Sequence, residues 1–242
     1  MVPAGSAPSR LALHRWQAPG QCAVCHGWCR GALCADCIAR HAAAAPRCAR
    51  CGLRRPQPVD ACGACIAAPP PQLRTVCAVD YGFPWDRLIA RFKFHGDVGL
   101  AGALAGLLLR ALPPVAAAAA GLVLPVPLAP HRLAERGYNQ AWEIARRVAA
   151  ATGRRADARL LLRPADGPHQ AGLPLAERRR NLRHAFLVDP LRRTHLAGLR
   201  VALVDDVVTS GATAAVAAQA LLDAGAAAVE VWALARTPEP GS

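Results

Sequence analysis

Lysine is almost missing from this chain: of 29 basic residues only Lys93 is not arginine, methionine occurs once, and aromatic residues make up 5%. With alanine, arginine, glycine and proline dominant, this pattern reads as codon bias as much as physical selection, so the long alanine runs indicate helix or filler and little more. Acidic residues are also scarce, 16 against 29 basic, which leaves a formal charge of +13 and points to an anionic partner. Long apolar runs are absent as well. The start, MVPAGSAPSRLALHRW, lacks the uninterrupted apolar core of an export signal, and the stretch from Val115 to Pro127 is too short and proline-broken to span a bilayer. The expectation is a cytoplasmic protein with no membrane span. In that reducing setting its 10 cysteines point to metal ligation rather than disulfides.

A length of 242 residues suits one ordinary domain plus a small one. The expected organisation is a disordered leader over 1–20, a cysteine-rich module over 21–66, a proline-rich linker over 67–72 and an α/β domain over 73–238. The linker, Ala67-Ala68-Pro69-Pro70-Pro71, marks the boundary. Beyond it, strand-like runs (Val76 to Phe83, Gly121 to Val126, Arg159 to Leu162, Arg200 to Val208, Val229 to Leu234) alternate with helical segments. The helical segments are Trp85 to Leu112 as one or two helices, Asn139 to Ala151, an Arg-rich stretch within Pro164 to His184, and Ala212 to Ala224. Such alternation predicts a mostly parallel sheet.

Four CxxC pairs occur: Cys22/Cys25, Cys34/Cys37, Cys48/Cys51 and Cys62/Cys65. A CxxC turn offers two thiolates to one ion and two turns complete a tetrahedral Zn²⁺ site, so one or two structural zinc ions are expected. Sequential and interleaved pairings both fit the spacing, and the sequential one is favoured. Gly52 and Gly63, each directly after a cysteine, suit the tight turn of a knuckle. Cys77 falls inside a predicted strand as a small buried hydrophobe. Full coordination by four cysteines leaves no open position for catalysis, and the module is too small to fold without its metal. Up to Gln72 the chain carries 8 Arg and 2 Asp, and two zinc ions on eight thiolates would bring that region to about +2. The remaining excess of +7 lies in the α/β domain.

Residues 201–213 read VALVDDVVTSGAT. An apolar strand ends in two carboxylates, Asp205 and Asp206, and a helix then starts through Thr209, Ser210, Gly211, Ala212 and Thr213. The strand delivers the loop to the carboxyl edge of a sheet, where open α/β folds bind ligands. Helix N-terminal N–H groups and the hydroxyls suit a phosphate monoester, and the acids can accept hydrogen bonds from vicinal hydroxyls. An ordinary strand-to-helix turn would share some of these features, though not the whole pattern.

The segment resembles the 5-phosphoribosyl-1-pyrophosphate (PRPP) signature of type I phosphoribosyltransferases. Two more segments are similar to the competence protein F (ComF) family, in which a double zinc ribbon precedes a type I phosphoribosyltransferase fold. LPVPLAPHRLAERGYNQA, from Leu124 to Ala141, matches at Arg132, Arg136, Gly137, Asn139 and Gln140. HQAGLPLAERRRNLRHAF, from His169 to Phe186, resembles the mobile loop through Gln170, Arg178, Asn181, Ala185 and Phe186, without the threonine that often precedes it. The resemblance implies that Asp205 and Asp206 are catalytic candidates that hold the ribose hydroxyls, that Val204 and Thr209 to Thr213 belong to the ligand-binding loop with Thr209 to Thr213 holding the 5′-phosphate, and that Arg178 is a further catalytic candidate on the closing loop. Arg132 and Arg136, one helical turn apart, could present guanidiniums to one diphosphate, and Lys93 is a further ligand candidate as the lone ammonium. It also implies Mg²⁺ on the diphosphate. Three functions stay open: a factor in DNA uptake or processing that contacts single-stranded DNA or DNA-processing proteins, a metabolic phosphoribosyltransferase acting on a base or amine, and a PRPP sensor without turnover.

Overall fold

The computed structural model describes residues 19–164 and 185–239. Two cysteine modules come first. One is a hairpin, β1 (Pro19–Gln21) and β2 (Trp28–Arg30), followed by helix α1 (Ala35–His41). The other is held by two isolated bridges, Arg47 with Arg54 and Cys48 with Val59, and ends in helix α2 (Gly63–Ala67).

The rest is an α/β domain. It runs β3 (Arg74–Asp80), α3 (Trp85–Phe94), α4 (Ala101–Ala111), α5 (Pro114–Ala119), β4 (Leu122–Pro125), α6 (Pro130–Arg136) and α7 (Gln140–Thr152). It continues with β5 (Arg155–Ala156), β6 (Leu161–Leu162), β7 (Leu187–Val188), β8 (Arg200–Val208), α8 (Ala212–Asp223) and β9 (Ala228–Arg236). Five strands form one parallel sheet in the order β3-β9-β8-β4-β5. β8 and β9 are runs of valine, alanine and leucine buried along most of their length, as central parallel strands covered on both faces must be. β3 lies at an edge and alternates between buried and half-buried positions. α3, α4 and α7 cover one face. α8 covers the other. The buried positions of α7, Ala141, Ile144, Ala145, Val148 and Ala149, follow helical spacing, and the helix is capped by Asn139 and ended by left-handed Gly153.

The connectivity decides where a ligand can go. From β4 the chain moves outward to β5, and from β8 it moves the other way to β9. Because β4 and β8 are neighbours, the connections leaving their carboxyl ends diverge and open a crevice between them, the usual ligand position in such sheets.

Several sequence expectations change in detail. The segment from Trp85 to Leu112 is two helices, because His95-Gly96 breaks it: Gly96 takes φ +66° and an Arg91–Asp97 ion pair of 2.6 Å closes the turn. The strand expected over Val76 to Phe83 starts at Arg74 and ends at Asp80, where its partner β9 also ends. The strand expected at Arg159 to Leu162 shrinks to β6, which pairs antiparallel with β7 outside the main sheet. The Arg-rich stretch, with Gln170, Arg178 and Asn181, lies outside the described residues. Among the described residues, no helix is long and apolar enough to cross a membrane.

Candidate functional site

The cysteines gather into two sets, Cys22, Cys25, Cys34 and Cys37 in one and Cys48, Cys51, Cys62 and Cys65 in the other, with the sulfurs of each set within 4.8 Å of one another. This is the sequential pairing. A tetrahedral zinc with Zn–S bonds of about 2.3 Å has edges of about 3.8 Å. Observed separations are 3.7 Å for Cys25–Cys34, 3.8 Å for Cys51–Cys62 and 4.0 Å for Cys48–Cys65. Backbone donors aim at the sulfurs, from Cys34 N to Cys22 Sγ at 3.3 Å and from Cys62 N to Cys48 Sγ at 3.2 Å. At Cys22 and Cys62 burial alone would push the thiol up, but hydrogen bonds outweigh it and bring each down to about 6, from the backbone N–H groups of Cys25, Cys34 and Val24 at Cys22 and from the Cys65 N–H and the Arg55 guanidinium at Cys62. Burial, reinforced by neighbouring sulfurs, holds Cys37 and Cys65 well above the usual thiol range. A divalent cation bound by the set is what would permit Cys37 and Cys65 to ionise. The donor set and its spacing fit zinc.

Of the two knuckle glycines only Gly52 is demanded. It takes φ +72°, and a Cβ there would stand 2.7 Å from Cys77 Sγ. Gly63 opens α2 with nothing within 4 Å of a Cβ. Cys77 is buried in β3, and burial pushes its thiol up to about 12.

The second site is the crevice. β8 carries Asp205 and Asp206 near its carboxyl end, and Thr209 to Gly211 turn the chain into α8. Gly211 takes φ +83°, a region that favours glycine. Thr209, Ser210 and Thr213 are exposed, and Ser210 Oγ accepts from Ala212 N at 3.3 Å. The loop therefore presents hydroxyls and a helix N-terminus outward. Asp205 is pushed up to about 8, first by burial and then by the charge of Asp206; it also accepts from Asp206 N at 2.8 Å. Asp206 meets Lys93 Nζ at 2.9 Å.

That ion pair is the less expected result, because Lys93 sits near the end of α3, far away in sequence. It is held there by the β4 side of the crevice. Gln140, 1% exposed, donates through Nε2 to Lys93 O at 3.3 Å and accepts through Oε1 from Arg136 Nη1 at 3.3 Å. Tyr138 Oη donates to Phe92 O. Asn139 donates to Val126 O at 3.0 Å while capping α7. Asp206, Lys93, Gln140 and Arg136 thus form one chain of contacts across the crevice. Gly137 ends α6 with φ +75°. Arg132 is exposed one turn before Arg136 on α6 and joins no such chain. Arg178 lies outside the described residues.

Sequence reasoning missed Arg236, the last residue of β9, whose buried guanidinium donates to the carbonyls of Val208 and Thr209 under the loop. A charged residue closing a run of apolar ones, Val231 to Ala235, was its only signal. A cavity of about 960 Å³ lies along the outward side of α8, between it and β7, away from the acidic pair.

No family model matches the chain. Among characterised proteins it is 36% identical to the DNA utilization protein YhgH of Salmonella typhimurium over 230 residues, 90% of this chain and 98% of that protein. It is 35% identical to the YhgH protein of Escherichia coli K12 over the same shares. With competence protein F of Haemophilus influenzae it shares 30% identity over 223 residues, 89% of this chain and 96% of that one. Of solved structures, the glutamine PRPP amidotransferase of B. subtilis, complexed with ADP and GMP, aligns over 54% of this chain and 25% of its own, at 24% identity and a TM-score of 0.38.

Proposed function

The chain belongs to the family of competence protein F and the DNA utilization protein YhgH, and from that premise we propose that it binds PRPP with Mg²⁺ in the β4–β8 crevice and acts in DNA uptake or processing. The observation that carries the ligand reading is the convergence, at one topological switch point, of an acidic pair, a hydroxyl-bearing helix N-terminus and an arginine-bearing helix.

In this reading Thr209, Ser210 and Thr213 with the α8 N-terminus hold the 5′-phosphate. Asp205 and Asp206 accept from the ribose hydroxyls. Their present state fits that task better than direct metal ligation, since Asp206 is already ion-paired to Lys93 and Asp205 is shifted toward its neutral form. Mg²⁺ would be carried on the diphosphate and would supply charge neutralisation there. Arg132 and Arg136 on α6 offer guanidiniums to the diphosphate, and Lys93, held through its backbone by Gln140, stands between the two sides.

Calorimetry with PRPP and Mg²⁺ tests this. Saturable 1:1 binding should weaken by about 10- to 150-fold in Asp206→Asn, as loss of a charged hydrogen bond does, and by less in Asp205→Asn, whose carboxyl is shifted toward its neutral form. No heat from the unmodified protein would end the reading. A pyrophosphate-release screen then separates turnover from sensing.

The DNA part has its own support in two arginine–aromatic pairs at the two ends of α3, one at Phe83 just before the helix and one at Phe94, its last residue. Arg87 lies over the ring of Phe83 at 5.4 Å and Arg136 over Phe94 at 5.0 Å, and both rings are 64% exposed. Bases stack on such rings while arginines meet phosphates. Binding of an oligothymidylate should weaken as salt rises, and Phe83→Ala with Phe94→Ala should weaken it at least tenfold. Salt-insensitive or absent binding would remove this part and leave the ligand reading intact.

A further inference from the structure

Arg236 is 5% exposed and sits between two sites that the sequence keeps far apart. Its Nε donates to Cys51 O at 3.0 Å, inside the second four-cysteine knuckle. Its Nη1 donates to Val208 O at 3.1 Å, to Thr209 O, and to Thr237 O at 2.9 Å. One guanidinium thus ties the knuckle of a metal ligand to the two residues from which the phosphate loop springs. These four hydrogen bonds all go to carbonyl dipoles, a weak compensation for burying a full positive charge. A zinc ion on four thiolates carries a formal charge of −2, and Cys51 is one of the four. Metal loading would place the compensating charge beside Arg236, and metal loss would remove it together with the ordered carbonyl of Cys51.

We propose that Arg236 is the positioning residue through which the second four-cysteine site sets the phosphate loop, so that metal at Cys48, Cys51, Cys62 and Cys65 and phosphorylated ligand at Thr209 to Thr213 stabilise each other. The first four-cysteine site has no such connection among the described residues: its module packs on α3 and the adjoining core instead. The ligand half of the inference rests on the reading of the crevice given above.

Binding free energies are reciprocal, so a loop tightened by the metal must in turn tighten the metal. The test follows zinc release from the full chain to a colorimetric chelator, with and without PRPP and Mg²⁺. Ligand should slow release from the second site by about 5- to 150-fold, the usual span of such coupling, and leave the first unchanged. A Cys25→Ser variant, lacking the first site, assigns the phases. In Arg236→Met the protection should vanish while ligand binding weakens, and Arg236→Lys should restore at most part of it. Equal slowing at both sites, or none while ligand is bound, would overturn the proposal. If PRPP does not bind at all, the crevice reading fails and the coupling is judged separately. Amide hydrogen exchange at Ser210 to Thr213 should then rise in a Cys62→Ser, Cys65→Ser protein and stay constant in Cys25→Ser; unchanged exchange in the former rejects the link. The same exchange measurement serves if Arg236→Met does not fold.

Discussion

The two cysteine modules share a local plan and differ in what they hold. In each, the residue after the first CxxC turn is left-handed, His26 at φ 61° and Gly52 at φ 72°, and its N–H returns to the carbonyl of the first cysteine at 2.9 Å. In each, the second CxxC opens a short helix. The first module joins the body mainly by apolar packing: Cys22, Leu33 and Cys37 share a cluster with Leu88, Ile89 and Phe92, and Trp85 Nε1 adds one hydrogen bond to His41 O at 2.9 Å. The second joins by directed polar bonds. Thr75 donates through N to Ala49 O and through Oγ1 to Arg50 O, Arg47 pairs with Asp80 at 2.7 Å, and Arg236 reaches Cys51 O. Apolar contact supports α3, which carries Lys93, without fixing its register; hydrogen bonds fix the register of β3 and the loop end of β8.

Removing one metal gives the largest effect. Cys62→Ser with Cys65→Ser should lose one zinc and unfold residues 47–67, since structural zinc contributes on the order of 10 kcal/mol to so small a module. Protection from hydrogen exchange should fall along β3. Cys22→Ser with Cys25→Ser should instead expose α3. Identical exchange patterns in the two variants would break the comparison, as would a denatured protein that releases no zinc. Next comes Gly52→Ala, which forces a Cβ to 2.7 Å from Cys77 Sγ and to 3.1 Å from Thr75 Cγ2 at a positive φ. It should cost about 2 to 4 kcal/mol in denaturant unfolding. Gly63→Ala, with open space, should be neutral or better.

A third test sharpens the contrast between supports and site. Asp205, at about 8 against an unfolded value near 3.8, holds its proton more tightly when folded. Stability is therefore lost progressively as pH rises from about 4 to 8, and the full penalty stands above 8. Asp205→Asn should be more stable than the parent by roughly 1 to 3 kcal/mol at pH 9, and the two should converge near pH 4, while the variant binds ligand more weakly. Thermal unfolding across that range checks it; a pH-independent difference would mean that Asp205 is not poised as described.

Much of this was legible in the sequence because it is local. The CxxC spacing and the strand-acid-acid-loop-helix order of 201–213 each lie within a few residues, and the periodicity of α7 and the apolar runs of β8 and β9 follow from burial. What was not legible depends on chain segments meeting from afar. β5 is two residues long and exists only by pairing with β4. β6 left the main sheet because its partner, β7, sits across residues 163–186. Lys93 stood out only by being a lysine, and its pairing with Asp206 depends on Gln140 fixing the end of α3. Arg236 carried almost no signal, since its four acceptors are backbone carbonyls and any sequence supplies those.

The smallest effect compares the two left-handed positions directly. His26 holds φ 61° with an ordinary side chain, is exposed, and belongs to neither sulfur set. A non-glycine residue loses about 1 to 2 kcal/mol there, while glycine adds roughly 0.5 to 1 kcal/mol of unfolded-chain entropy, so His26→Gly should stabilise by only about 0.5 kcal/mol. Zinc content should stay at the parent value. The same turn at Gly52 tolerates no reverse exchange, because there the backbone lies against β3. If His26→Gly instead destabilises the protein or loses zinc, the histidine side chain has a task in the first module, and the two knuckles are not the same turn in different surroundings.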